Sequence, residues 1–249
     1  MSLSSDGIID HIRRYYGGLY AGRFRPGVKV LAGRGLAEHL GYPERVARAV
    51  PAEFWEYFHP CGNPLNGLDL APGTTGLNLG CGVGIDSIAV AMHDAAPDRI
   101  VNLDMVPGIL ATARRLYDRV MGSAPAPRVL WVNADGRGLP FGDSTFDWIL
   151  MNGVFNLFPD KAALLDEIAR AAKPGGRLVV ADLCSKGRLP DYFRSEPDAW
   201  AWCMSGALTV EAMEQLLAGR GFLDISVRIE EECEDLFDRA VIAATLPKE

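Results

Sequence analysis

The sequence predicts an α/β fold with a mostly parallel sheet covered by helices on both faces. From residue 75 onward, short apolar strands alternate with helical segments, which is the pattern of such a sheet. A turn with glycine at every second position joins the first strand to its helix. The chain has 249 residues, and 49% of them are hydrophobic, so it can bury one large core but hardly two.

Seven strands are predicted, at residues 75–79, 99–103, 128–133, 146–151, 177–182, 222–230 and 239–246. Between them, helices are predicted at residues 85–93, 107–121, 161–172 and 209–219. The sequence Pro174-Gly175-Gly176 favours a turn into the fifth strand. The last two strands are expected to form an antiparallel hairpin at the C-terminal end of the sheet.

The N-terminal segment has a different character. Asp6 is expected to cap a helix over residues 8–16 that Gly17-Gly18 ends, and residues 19–41 are expected to form a loop. Short helices are expected up to residue 50 and then through residue 58, ahead of a turn. We therefore divide the chain into a helical cap, residues 1–70, and a cofactor-binding domain, residues 71–249. Within that domain, the irregular residues 185–208 are expected to cover the substrate.

The glycine turn indicates a cofactor site. Gly80, Gly82 and Gly84 would let the backbone approach a ligand closely, and the N-terminus of the following helix points its free N–H groups there. Asp104, at the end of the second strand, is placed to accept hydrogen bonds from ribose hydroxyls, with Met105 beside it. The pattern predicts a nucleotide-type cofactor, although glycines can also serve a tight turn alone.

Composition excludes some classes of partner. The formal net charge of −7 argues against general nucleic-acid binding, which needs a basic face. No apolar run has the length of a membrane span and no signal peptide is recognisable, so a cytoplasmic protein without membrane contact is expected. In that compartment the five cysteines are expected as thiols.

Three further features resemble the class I S-adenosylmethionine (SAM)-dependent methyltransferases, which have a Rossmann-like fold. Asp135 and Gly136 follow the third strand, where a carboxylate can meet the adenine amino group, although Asp135 could also be a plain turn residue. A turn at residues 139–147 leads into the fourth strand, and a helix and glycine turn follow at residues 164–178. The resemblance covers residues 75–246 and implies SAM as cofactor. One departure is Asn78, where the family usually has aspartate.

Four segments narrow the resemblance to the arsenite methyltransferases. They are Tyr15-Tyr16-Gly17, Cys61-Gly62-Asn63-Pro64, residues 152–161 (NGVFNLFPDK) and residues 203–208 (CMSGAL). The resemblance implies that the thiolates of Cys61 and Cys203 hold trivalent arsenic beside the sulfonium of SAM. Soft thiolate sulfur is the natural ligand of this soft element. It also implies that Tyr15 and Tyr16 form a lid over the cofactor and that Asn152 lies in its site.

Several alternatives remain open at this point. A third arsenic ligand could be Cys233, but its acidic neighbours would raise its thiol pKa, and glutathione or another small thiol could take that place. Cys184 is expected to be a core residue and His59 a surface turn residue. The chain could instead methylate oxygen, nitrogen or carbon of a small metabolite. It could also bind SAM without catalysis, as Asn78 suggests.

Overall fold

A computed structural model describes residues 4–23, 32–232 and 236–248 of the chain. The seven predicted strands form one sheet in the order β3-β2-β1-β4-β5-β7-β6. Their bounds are β1 Thr75–Leu79, β2 Arg99–Asp104, β3 Arg128–Asn133, β4 Phe146–Asn152, β5 Ala172–Ser185, β6 Leu223–Glu232 and β7 Phe237–Thr245. The α/β fold class is confirmed.

Eight α-helices occur in the described residues: α1 Ser5–Tyr20, α2 Gly33–His39, α3 Glu44–Ala49, α4 Ile85–Ala91, α5 Pro107–Met121, α6 Lys161–Ala171, α7 Pro197–Ala201 and α8 Val210–Ala218. Short 3-10 helices lie at Ala52–Tyr57, Pro64–Gly67, Phe155–Leu157 and Asp191–Ser195. Among these described helices, none is both long and apolar enough to cross a bilayer.

The strand order creates the crevice in which a ligand can bind. Strands β1 to β5 are parallel, and the chain runs outward from β1 through β2 to β3 before returning to β4 on the other side of β1. Ligands of open α/β sheets bind at such a reversal, outside the carboxyl ends of the strands. The ends of β1 and β4 therefore mark the site.

The C-terminal hairpin is confirmed, with one refinement of direction. Strand β7 lies between β5 and β6 and is antiparallel to both. Since β6 is antiparallel to β7, it points the same way as β5, and β7 alone is reversed. The chain also enters β5 at Ala172, before the predicted turn, with a register irregularity opposite β4.

Two apolar clusters cover the two faces of the sheet. Leu77 and Leu79 of β1 pack on one face with residues of α6 and α8. On the other face, α4 and α5 pack together with Leu36, Tyr42 and other residues of the 36–58 segment. The second half of the predicted cap thus shares a core with the sheet. The boundary near residue 70 is not a break in the packing.

Local expectations for the N-terminal segment were wrong in three places. Helix α1 continues through Gly17-Gly18 to Tyr20, and its N-cap is Ser4, whose side chain accepts a hydrogen bond from the Gly7 amide. Helix α2 lies inside the expected loop. Burial explains the first result, since α1 places its isoleucines and Leu19 on one buried face, and such packing outweighs the poor helix propensity of glycine. The 185–208 segment also contains helical turns, including α7.

Candidate active site

The turn after β1 needs its glycines for geometry. Gly80, Gly82 and Gly84 have φ angles of +74°, +51° and +81°, which side-chain-bearing residues seldom adopt. A Cβ on Gly80 would lie 2.5 Å from Val154. Gly84 is the N-cap of α4, and a Cβ there would face Trp131 rather than the cavity. Gly84 therefore shapes the turn without lining the predicted cofactor site.

An open cavity, about 920 Å³ including space continuous with solvent, lies at the ends of β1, β2 and β4. Its lining contains most residues predicted to bind the cofactor: Tyr16, Gly80, Gly82, Asp104, Met105, Asp135, Gly136 and Asn152. A Cβ on Gly136 would lie 2.9 Å from Phe158, so this glycine keeps the cavity open.

Three aspartates and neither lysine nor arginine line this cavity in the described part of the chain. The Asp104 carboxylate accepts hydrogen bonds from the backbone amides of Gly82 and Val106 at 2.9 Å each. Burial raises the pKa of Asp104 to about 6. Burial also acts on Asp135, but hydrogen bonds from Arg137 outweigh it, and the pKa of Asp135 lies below its usual value. An acidic lining favours a ligand with net positive charge.

The third aspartate, Asp86, belongs to the first turn of α4 and was not predicted to have a role. It is 5% exposed, and it accepts hydrogen bonds from Tyr42 Oη at 2.5 Å and from Asn152 Nδ2 at 3.2 Å. Burial raises the pKa of Asp86 to about 6, while both hydrogen bonds lower it. Its position as the second residue of the helix after the glycine turn was the available signal.

Asn78, in contrast, lies outside the lining of the cavity. It is buried, and its Nδ2 donates to Ser87 Oγ at 2.9 Å; Ser87 Oγ in turn donates to Asn102 Oδ1. The amide thus joins β1 to α4 and to β2. Its replacement of the usual aspartate gives no support to the hypothesis of a binding protein without catalysis.

A second open cavity, about 890 Å³ including space continuous with solvent, adjoins the first. Tyr16, His59, Pro60 and Gly153 line both cavities. The second is otherwise lined mainly by aromatic and apolar side chains, together with Cys61 and Cys203. The predicted lid residue Tyr15 lies here and not in the first cavity. His59 is a shared wall residue rather than a surface turn residue, and burial lowers its pKa.

The two cysteines converge, although 142 positions separate Cys61 from Cys203 in the sequence. Their sulfur atoms and a carboxylate oxygen of Asp182 all lie within 4.8 Å of one another. All three residues are buried. A pair of thiols with an adjacent oxygen, facing a cavity that adjoins the cofactor cavity, can bind a thiophilic ion or metalloid.

The electrostatic environment keeps Cys203 protonated in the ligand-free protein. Hydrogen bonding with Cys61, then burial, then the charge of Asp182 raise its pKa well above the usual value. Asp182, at the end of β5, accepts hydrogen bonds from the backbone and side chain of Asn156 at 3.0 Å each, and burial raises its pKa. Lys161 lies buried close by, and burial lowers its pKa to about 8. A ligand of the Cys203 sulfur must therefore displace its proton.

Helix α1 covers both cavities. Tyr16 separates them, and its hydroxyl donates to the carbonyl of Ala201 in α7 at 2.9 Å. Tyr20, which was not predicted, lines the first cavity beside Gly82, with its hydroxyl 3.3 Å from where a Cβ on Gly82 would lie. Trp200 belongs to the same buried apolar cluster as the two cysteines, and Trp202 lines the second cavity.

Cys184 has no place in this cluster. Cys184 is 1% exposed and packs in the core on one face of the sheet, as expected, and burial chiefly raises its pKa to about 12. Cys233, the doubtful third ligand, lies outside the described residues. Asp182 and Lys161 were missed, since a single carboxylate or lysine at a strand or helix end carries no recognisable pattern.

Comparisons with known proteins identify methyltransferases among the relatives of this chain. An arsenite methyltransferase from Halobacterium salinarum is 29% identical over 196 residues, which cover 79% of this chain and 49% of the relative. A demethylmenaquinone methyltransferase from Lactiplantibacillus plantarum is 35% identical over 135 residues, which cover 54% of each chain. This chain therefore spans about half the length of the curated relatives it matches.

The crystal structure of an arsenic(III) S-adenosylmethionine methyltransferase from Chlamydomonas reinhardtii superposes with a TM-score of 0.64 at 28% identity. The superposition covers 83% of this chain and 74% of that chain. A sequence model of the methyltransferase domain family matches residues 70–221. The chain belongs to this methyltransferase domain family, and its fold is that of the class I SAM-dependent methyltransferases.

Proposed function

We propose that this protein transfers a methyl group from SAM to trivalent arsenic held by Cys61 and Cys203. The observation that carries the proposal is the convergence of the two sulfurs, which lie within 4.8 Å of each other in a cavity next to the glycine-turn cavity. The arsenite methyltransferase among the relatives and the arsenic(III) methyltransferase structure support the same acceptor.

The residues of the first cavity fit the donor. Three aspartates face a ligand that carries net positive charge, and the small Gly80, Gly82 and Gly136 leave room for it. When bound there, SAM would supply a methyl group on a positively charged sulfur. Transfer would form an arsenic–carbon bond from the arsenic lone pair and leave the sulfur–carbon electron pair on sulfur, which would oxidise arsenic from the trivalent to the pentavalent state. Tyr16 and Tyr20 of helix α1 form part of the wall of this cavity.

The thiols hold the acceptor in the second cavity. Arsenic binding would displace the thiol protons, as metal binding does, and the thiolates would then donate electron density while leaving the arsenic lone pair free. The attacking atom carries no proton, so the reaction needs alignment rather than a general base. Trp202 and the neighbouring apolar lining exclude water. We propose that a small thiol such as glutathione fills the third position on arsenic.

The direct test combines purified protein, SAM, arsenite and glutathione and measures methylated arsenic by chromatography with element-specific detection. Cys61→Ser and Cys203→Ser should each lower the rate at least about 100-fold, because one soft ligand of two is lost. Cys184→Ser is the matched control, since this thiol is buried outside the cluster and should leave the rate within about threefold. Absence of methylated arsenic at saturating SAM would contradict the proposal.

A second candidate is methylation of a small organic metabolite. The observation that favours it is the mainly apolar and aromatic lining of the second cavity, which is typical of sites for small organic molecules. The match to a demethylmenaquinone methyltransferase points the same way. This candidate predicts that Cys61→Ser and Cys203→Ser leave turnover of the true substrate largely intact, whereas arsenic methylation would be lost.

A further inference from the structure

A buried cluster of polar groups connects the two cavities. The first cavity, proposed to hold the methyl donor, is called the donor cavity below. Asp86 lines it at the start of α4, and Asn152 lines it at the end of β4. Tyr42 lies behind both and is 5% exposed. On the far side of Asn152 is the backbone of Cys61, the proposed arsenic ligand. The cluster therefore reaches from the wall of one cavity to the loop that forms the other.

The orientation of the Asn152 amide is fixed by its neighbours. The backbone N–H of Cys61 donates to Asn152 Oδ1 at 2.8 Å, so the oxygen must face the loop. Nδ2 then faces acceptors only: the Gly62 carbonyl at 3.1 Å, Tyr42 Oη at 3.0 Å and Asp86 Oδ2 at 3.2 Å. One side chain thus holds the Cys61-Gly62 backbone on one side and the Asp86 carboxylate on the other.

Asp86 differs from the other two aspartates of the donor cavity in its partners. Asp135 is paired with Arg137, and Asp104 accepts backbone amides of the glycine turn and of the residues after β2. The partners of Asp86 in the described residues are a neutral hydroxyl and a neutral amide. A buried carboxylate with neutral partners is costly to ionise, and a cationic ligand in the cavity would relieve that cost.

The position of Asp86 indicates which cationic group of the methyl donor it would contact. The methyl donor carries adenosine on one side of its sulfur and an amino-acid tail with an α-ammonium on the other. Asp104 and Asp135 follow β2 and β3, on the side predicted for adenosine, whereas Asp86 lies beside Asn152 and the Cys61 loop, on the acceptor side. The amino-acid tail is the part of the donor that Asp86 can reach once adenosine lies between the other two aspartates.

We propose that Asp86 binds the α-ammonium of the methyl donor and that Tyr42 and Asn152 transmit this binding to the backbone of Cys61, so that the donor sets the position of the acceptor loop. The acceptor half of this inference rests on the proposed function. An ammonium against Asp86 would hold the carboxylate in one orientation, and the hydrogen bonds that Asp86 accepts from Tyr42 and Asn152 would carry that orientation to the Asn152 amide. The amide that these bonds orient is the one that holds Cys61. Binding of donor and of arsenic should therefore be mutually favourable.

Two ligands without the transferable methyl group differ in whether they carry the α-ammonium. S-adenosylhomocysteine has the amino-acid tail, and 5′-methylthioadenosine lacks it while keeping adenosine and sulfur. Calorimetric titrations of the whole protein, with a phosphine in place of thiol reductants, should show that S-adenosylhomocysteine tightens arsenite binding about fivefold or more. Methylthioadenosine should leave arsenite affinity unchanged within twofold.

Two variants test separately the contact of Asp86 with the ammonium and the transmission of that contact to the Cys61 backbone. Asp86→Asn should weaken S-adenosylhomocysteine about tenfold and leave methylthioadenosine affinity unchanged, because only the former has the ammonium. Tyr42→Phe keeps the carboxylate and its direct hydrogen bond from Asn152, so it should leave S-adenosylhomocysteine affinity within about threefold and should reduce the effect on arsenite without abolishing it. If Asp86 and Tyr42 had only a structural role, each substitution would change the affinities for S-adenosylhomocysteine and methylthioadenosine by the same factor. The dependence of arsenite affinity on S-adenosylhomocysteine would then stay unchanged.

Several results would overturn the inference. If Asp86→Asn weakened the binding of both nucleosides equally, the proposed ammonium contact would be contradicted. If arsenite affinity did not depend on S-adenosylhomocysteine, the proposed coupling would be contradicted. If arsenite does not bind at all, the proposed function fails, while the comparison of the two nucleosides still decides the role of Asp86. If Asp86→Asn does not fold, equal affinity of the unaltered protein for both nucleosides would be the contradicting result.

Discussion

Cys203 has a φ angle of +61°, in the left-handed region that residues other than glycine seldom occupy. Such strain persists only where the surroundings impose it, and it is concentrated at functional sites. Here the surroundings are visible, since the Cys203 amide donates to the Trp200 carbonyl at 3.0 Å and Ser205 Oγ donates to the Phe193 carbonyl at 2.6 Å. The segment around Cys203 is thus held from both sides, which points the thiol at Cys61.

Gly206 packs closely against the Asn156 backbone in the same segment, and its replacement tests how rigidly the segment is held. A Cβ at this position would lie 1.9 Å from the Asn156 carbonyl oxygen and 2.9 Å from Lys161 Nζ, so the backbone must move. We expect Gly206→Ala to lower the free energy of unfolding by about 2–3 kcal/mol and to abolish arsenite binding. Gly108→Ala is the control, because a Cβ there meets nothing within 4 Å, and it should change stability by less than about 1 kcal/mol. Equal stability of both variants would contradict this packing.

Burial of Asp86 predicts a pH dependence with a defined sign. Its pKa in the folded protein is about 6, above the value of 3.8 for a free carboxyl, so the native state binds the proton more tightly than the unfolded state. The stability that this group contributes is present at low pH and is lost as the pH rises through about 4 to 6. Asp86→Asn does not titrate. Its stability relative to the unaltered protein should therefore rise by about 1–2 kcal/mol between pH 5 and pH 7.

Urea unfolding of the ligand-free proteins at the two pH values measures this difference. The exposed Asp94 provides the comparison, since Asp94→Asn removes the same formal charge from a solvated position. A difference between Asp86→Asn and the unaltered protein that stays flat or falls with pH would show that the carboxylate is ionised in the folded state at no cost.

At the scale of elements, the strands and the helices between them were predictable because periodicity records burial directly. Strands β1 and β3 and helix α5 have their predicted bounds, and the glycine turn with Asp104 gave the cofactor edge of the sheet. Helix α1 was cut short because Gly17-Gly18 is a local stop signal, whereas its buried face depends on tertiary contact with α7. The direction of β6 was not predictable either, since pairing order across the sheet leaves no mark in a single strand.

The same distinction applies to the site. Cys61 and Cys203 could be selected because they stand in recognisable motifs, while Asp86, Tyr42 and Asp182 act through contacts made by distant segments. Tyr42, for example, meets Asp86 from 44 positions away. A polar residue whose role depends on such a contact looks like any other buried or surface residue in the sequence.

Helix α1 offers a direct test of tertiary packing against local signal. A Cβ on Gly17 meets nothing within 4 Å and its backbone is helical, so Gly17→Ala should raise the free energy of unfolding by about 0.5–1 kcal/mol. Gly22, just beyond the helix, has a φ of +66° and equally open space, and Gly22→Ala should instead destabilise by about 1 kcal/mol. Thermal unfolding distinguishes the two. If the helix ended at Gly17, the first substitution would be neutral or harmful.

At the scale of the whole molecule, charge distinguishes the donor from its product. The chain carries a formal net charge of −7, and three of its aspartates line the donor cavity, where the described lining contains neither lysine nor arginine. SAM bears one net positive charge at neutral pH, and S-adenosylhomocysteine bears none. The field of the protein should therefore attract the donor more strongly than the spent product.

Salt dependence separates this long-range attraction from the contacts that both ligands share. Because the screening length falls from about 10 Å at 0.1 M salt to about 3 Å at 1 M, added salt weakens the attraction of SAM to the aspartates across the open cavity. We expect the ratio of the SAM to the S-adenosylhomocysteine dissociation constant to rise about twofold or more over this range. The neutral product is the internal control, since it shares every contact except the methyl and its charge. A ratio that does not change with salt would mean that the aspartates act on the donor only through direct hydrogen bonds, with no contribution from the field of the molecule.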